Sequence, residues 1–150
     1  MSAVASPAVS SRAGAAGRIA LVLAAIPQAE IGIWGLAAPH SFYRSFPGGG
    51  RHWVSSLGVY NEHLVRDYAA AELGFAVLLL AAAIHFGRAL VLAAGAAFLA
   101  ATLPHFAYHL TTTEHMSTGD NIGSLGGFVF EMVLTLAAMG VAASRPRAVR

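Results

Sequence analysis

Four long apolar runs, near residues 19–38, 66–86, 88–110 and 122–143, take up most of this chain and are separated by polar connections. A helix of about 20 apolar residues crosses the hydrocarbon core of a bilayer and satisfies its own backbone hydrogen bonds there. The runs therefore predict an all-α fold, a four-transmembrane-helix bundle. With 57% hydrophobic and 11% charged residues among 150, there is no material left for a separate soluble domain. The lipid bilayer is the first expected partner.

Composition also removes several function classes. There is no Cys, so disulfides, Cys-ligated zinc and dithiol chemistry are excluded for this chain. The nine basic residues are all Arg and the net charge is only +2, which is no basis for nucleic-acid binding. Gly48-Gly49-Gly50 lacks the Lys-Ser/Thr of a phosphate-binding loop. Ser55, Ser56 and Ser117 lie near His in sequence, which carries no triad geometry.

Residues 1–17 are rich in Ala, Ser and Gly and read as a disordered tail. A single membrane domain then covers 18–144, and 145–150 form a basic tail. Arg12 and Arg18 before Ile19–Ile26 resemble a secretory signal, but the apolar run resumes at Ile31 without a small-residue cleavage pair, which predicts an uncleaved span. Pro27 sits inside that span and frees a backbone carbonyl near the polar Gln28 and Glu30. The long loop 39–64 carries Phe42, Tyr43, Phe46, Trp53 and Tyr60, and Arg51–Tyr60 is expected to lie along the headgroup layer as a cap over the bundle. His85-Phe86-Gly87-Arg88 divides the next apolar region into a hairpin of two spans. Gly123 and Gly127, four apart, predict close helix contact at the start of the last span.

Arg12, Arg18, Arg88, Arg145, Arg147 and Arg150 fall on one side of this topology, against Arg44, Arg51 and Arg66 on the other. The positive-inside rule then places both termini in the cytoplasm and the long aromatic loop outside. The expected location is a bacterial inner (plasma) membrane.

Each span carries an ionisable intruder, and such residues are functional hypotheses by default. At a rise of about 1.5 Å per residue, Glu30 lies roughly 12 Å below the outer boundary, with Glu72 and Glu131 at similar depth and His105 slightly shallower. Asp67 and His109 form a layer above. His105/His109 and His63/Asp67 are both spaced i, i+4, so each pair shares a helix face. Imidazoles and carboxylates converging in a bundle suit a transition metal, iron, zinc or manganese. The candidate metal ligands are thus His105, His109, Asp67, Glu72, Glu131, Glu30 and His63. Simpler readings stand beside this one. Glu62 and Arg66 read as a surface i, i+4 pair, and His63 and Asp67 as residues that open the second span. Glu30, Glu72 and Glu131 read as neutral, hydrogen-bonded carboxyls, and His40, His52 and His115 as loop residues.

The segments Tyr60-Asn61-Glu62-His63-Leu64-Val65-Arg66-Asp67-Tyr68, Glu72-Leu73-Gly74 and Pro104-His105-Phe106-Ala107-Tyr108-His109-Leu110 resemble small four-helix bacterial inner-membrane proteins and are broadly similar to the DoxX-like families. The resemblance covers about residues 31–139. It implies a four-helix inner-membrane bundle, in some members associated with oxidoreductase systems, and it supplies no catalytic residue set.

Three functions remain open. One is a His/carboxylate metal site in the outer half of the bundle, redox-linked and acting on a lipid-soluble substrate or quinone. Another is a non-catalytic membrane subunit or small transporter, partnered by another subunit or by itself as a homo-oligomer, whose polar residues form a structural or proton-relay network. The third is bis-His haem ligation, which requires His63 and His109 to face one another.

Overall fold

The structure, a computed structural model, describes residues 7–145. They form α1 (Pro7–Ala37), α2 (Pro39–Ser45), α3 (Glu62–His85), α4 (Arg88–Thr111) and α5 (Thr118–Ala143), with no strand among the described residues. α1, α3, α4 and α5 are long and apolar enough to cross a membrane. Among the described residues the chain is all-helical, and its four apolar helices make it a multi-pass membrane protein.

Local chemistry sets the helix ends. The Asn61 side chain accepts the Leu64 N–H at 3.1 Å to start α3, and Ser117 accepts the Asp120 N–H at 3.1 Å to start α5. These caps start the helices at Glu62 and Thr118, earlier than the apolar runs at 66 and 122 indicate, because a capped polar turn extends a helix past its apolar part. α2 was not foreseen; Pro39 at its first position fits a helix start, since Pro lacks the N–H that would go unpaired there.

The predicted tail over 1–17 needs correction. α1 already runs from Pro7, and Gly14 and Gly17 are buried. Alanine-rich sequence has high helix propensity once one end is anchored by packing. Residues 1–6 and 146–150, with Arg147 and Arg150, lie outside the described residues.

The α3–α4 connection is the predicted hairpin, reduced to Phe86 and Gly87. Phe86 adopts φ 43°, a left-handed C-cap that non-glycine residues seldom take, and its N–H bonds to the Ala82 carbonyl. Its ring is 1% exposed, and a Cβ on Gly17 would lie 2.4 Å from it. Glycine at position 17 is what admits the ring. The guanidiniums of Arg18 and Arg145 lie 5.2 and 4.7 Å from the ring centroid. Arg18 also donates to the Ala83 and Ile84 carbonyls, Arg145 to the Phe86 carbonyl, and Arg88 to the Ala143 carbonyl. The arginines expected as topology signals thus also satisfy the open C-terminal carbonyls of α3 and α5.

α1 packs against α3 and α5, and α4 packs against the same two, whereas α1 and α4 make no close backbone approach and neither do α3 and α5. The four spans therefore form a ring in the order α1, α3, α4, α5. The half nearer Phe86 is solid, built largely of small side chains such as Ala24, Ala82, Ala94 and Ala138 around Leu21, Leu79, Val91 and Phe98. Small residues allow the close helix contact that stabilises bundles in lipid. Large apolar side chains instead face outward, among them Ile19, Ile33, Val77, Leu103, Phe130 and Val133. Such a surface suits hydrocarbon.

Close approach of α1 to α3 depends on Gly32 and Gly35. A Cβ on Gly32 would lie 2.8 Å from the Leu73 nitrogen, and one on Gly35 would lie 2.6 Å from the Ala69 Cβ. The contact expected from Gly123 and Gly127 is not a helix–helix contact. The Trp53 indole lies 3.2 Å from a Cβ built on Gly123, and an added Cβ on Gly127 meets nothing within 4 Å.

Candidate functional site

The half of the bundle away from Phe86 is hollow. A cavity of about 570 Å³ lies between all four spans, within the size range of small-molecule sites. Its polar lining comes from every span: Gln28 on α1, Tyr68 and Glu72 on α3, Thr102, His105 and His109 on α4, and Ser124 and Glu131 on α5. The rest of the lining is mostly apolar and aromatic.

Helix periodicity explains which residues reach it. On α3, Tyr68, Glu72 and Phe75 recur at i, i+4, i+7, and on α5 Ser124, Phe128 and Glu131 do the same. On α1, Gln28 follows the buried Ala24 by four residues and precedes the buried Gly32 by four. Its side-chain amide reaches back toward the Ala24 carbonyl at 3.4 Å, in the stretch where Pro27 interrupts the helix ladder.

His105 and His109 stand on one face of α4 with their Nε2 atoms 3.2 Å apart. The His105 ring meets Tyr68 edge-on at 5.7 Å and Phe128 at 4.9 Å. His109 is 7% exposed, and its Nδ1 is buried without a hydrogen-bond partner. Thr102 returns its hydroxyl to the Phe98 carbonyl at 2.8 Å, so it presents mainly its methyl group. Glu131 stands beside Gln28 and within electrostatic reach of Glu72. Glu72 in turn neighbours the Tyr68 hydroxyl.

The loop after α1 borders this end. Phe42, 2% exposed, Phe46, Trp53, Val54 and Leu57 all contribute to the cavity wall. Trp34, Phe42, Phe46 and Trp53 form a chain of ring contacts with centroids 5.0 to 6.3 Å apart. The lid is tied down at several points. Trp53 Nε1 donates to Asp120 Oδ1 at 2.7 Å, Arg51 pairs with the same carboxylate, and the Tyr43 hydroxyl donates to the Gly58 carbonyl at 2.6 Å.

The predicted ligand set divides. His105, His109, Glu72 and Glu131 face one cavity. Glu30 touches its edge but is exposed, on the same outward face of α1 as Ile26 and Ile33. His63 and Asp67 are set apart from the cavity: they pair with each other at 3.3 Å with side chains 87% and 63% exposed. One residue of helix turns a side chain by about 100°, so Tyr68 enters the cavity where its neighbour Asp67 points away. His63 therefore does not line the cavity that His109 faces. Among the described residues no group of three or more His, Asp or Glu is positioned to hold a metal ion. The simpler reading of Glu62 and Arg66 holds, at 2.9 Å, and Arg66 also donates to the Leu36 carbonyl at 2.8 Å.

The chain matches no protein-family model, no curated protein and no solved structure.

Gln28, Tyr68, Ser124, Phe128 and the anchoring Asp120 were missed as sequence candidates. For the first four, the signal was present as the i, i+4 and i+7 partners of Gly32, Glu72 and Glu131. Neutral polar and aromatic side chains carry no membrane penalty large enough to mark them individually, unlike charged ones.

Proposed function

We propose that this protein is a membrane-embedded binding protein that takes a small lipid-soluble amphiphile into the lidded end of its bundle. The observation that carries this reading is the cavity of about 570 Å³, with polar groups contributed by all four spans and an aromatic roof. Its lining sets it apart from the densely packed alanine half of the bundle. Apolar walls suit the body of an amphiphile, and the Glu72, His105, His109 and Glu131 cluster suits its polar end, by hydrogen bonding or proton exchange.

In this reading the arginine distribution orients the lid to the outer face of a bacterial inner membrane, with both termini cytoplasmic. A DoxX-like relationship fits a small four-helix subunit of this type.

The test is to extract the full chain in native lipid discs and identify co-purifying small molecules by mass spectrometry. Gly127 supplies the control, because it lines the cavity and an added side chain meets nothing near the backbone. Wild type is expected to retain a stoichiometric amphiphile that Gly127→Trp loses while remaining folded. Identical extracts from the two proteins overturn the reading.

A transition-metal site is a second reading, favoured by one distance. Two imidazole nitrogens 3.2 Å apart match the bite of two ligands about 2.0 to 2.1 Å from a tetrahedral ion. Stoichiometric zinc, iron or manganese in the purified protein, lost in the double variant His105→Ala/His109→Ala, is the result this reading requires.

A further inference from the structure

The charge of the cavity is one-sided. Glu72 and Glu131 line it within electrostatic reach of each other, and Glu30 stands at its edge, yet no arginine lines it among the described residues. Of the arginines at this end, Arg51 pairs with Asp120, Arg66 pairs with Glu62 and donates to the Leu36 carbonyl, and Arg44 is not part of the lining. The other titratable groups facing the two carboxyls are Tyr68, His105 and His109, and Gln28 is uncharged. Two carboxyls in a low-dielectric space carry charge only when a cation comes to pair with them, and among the described residues no arginine lines the cavity to be that cation.

The walls have the second property of a cation site. Phe42, Phe46, Trp53, Phe75 and Phe128 surround the space with aromatic surface. Aromatic faces attract alkylated ammonium groups, which cannot be satisfied by hydrogen bonds alone. Apolar walls, aromatic side chains and two carboxyls without an arginine partner together select against anions and favour cations over neutral molecules of equal shape.

We propose that the ligand of this cavity is a lipophilic cation, an aromatic or alkyl amine or quaternary ammonium, whose charge is held by Glu72 and Glu131 beneath the aromatic lid. This rests on the reading of the cavity as a ligand site and narrows the ligand to one chemical class.

The test uses two probes of the same shape, phenyltrimethylammonium and the neutral tert-butylbenzene, titrated into the purified full chain. Trp53, one of only two tryptophans, lines the cavity and reports occupancy by fluorescence; Trp34→Phe removes the other signal. The cation is expected to bind at least about tenfold more tightly than the neutral probe. Glu131→Gln and Glu72→Gln are each expected to erase that preference while leaving tert-butylbenzene binding unchanged, which shows that the cavity is intact. Gly127→Trp is expected to abolish both. Equal binding of the two probes, or a preference that survives both glutamine variants, overturns the cation assignment while the amphiphile reading stands. Binding of neither probe overturns the cation assignment, and if nothing co-purifies with the native protein the amphiphile reading falls as well.

Discussion

The indole of Trp53 donates to the carboxylate of Asp120 at 2.7 Å, joining residues 67 positions apart and fastening the aromatic loop to the start of α5. Asp120 also accepts from Ser117 and pairs with Arg51, so one carboxylate holds the lid and helps order the helix terminus.

Asp120→Ala removes all three of these contacts. The Trp53 side chain is then free of its anchor, and its fluorescence is expected to shift to the red as the indole becomes more exposed. Limited proteolysis is expected to cut within residues 46–61 faster than in wild type. Unchanged emission and unchanged cleavage would show that the ring contacts hold the lid without this carboxylate.

Glycines in the bundle are predicted to fall into two classes. Gly32→Ala puts a Cβ within 3 Å of the Leu73 backbone, which cannot rotate away, so α1 and α3 must separate at a cost of about 1–3 kcal/mol. Gly126→Ala meets nothing within 4 Å and is expected to stabilise α5 by about 0.5–1 kcal/mol through reduced backbone entropy. Reversible unfolding in mixed micelles measures both, and equal effects would defeat the distinction.

Thr135 is fully buried against the α4–α5 seam, and its hydroxyl has no hydrogen-bond partner. Thr135→Val keeps the branched shape and removes the unsatisfied group. A gain of about 1 kcal/mol in the same unfolding assay is expected, since a buried unpaired hydroxyl costs on that order. A loss of stability would reveal a partner for the hydroxyl.

The four spans were legible because the bilayer imposes a length and an apolar composition that local sequence must meet. The hairpin at Phe86-Gly87 and the Glu62–Arg66 pair were legible for similar reasons, being local. The candidate site was half legible. Charged intruders announced the layer, but His63 and Asp67 belong to an outward face and Glu30 lies at the margin, and nothing in a span's composition fixes the rotation of its helix. Alternatives to Asp67 and Glu30 stood one and two residues away, in Tyr68 and Gln28.

Sequence alone determined that this chain forms four apolar helices carrying costly polar groups, because hydration and backbone hydrogen bonding act residue by residue. Only the tertiary structure decided which of those groups meet. Helix rotation is set by where small residues let backbones approach, at Gly32 and Gly35 against α3, and by where bulky side chains are excluded. The outcome of that packing, a solid alanine half beside a hollow half roofed by Phe42 and Trp53, belongs to the contacts between helices rather than to any one of them.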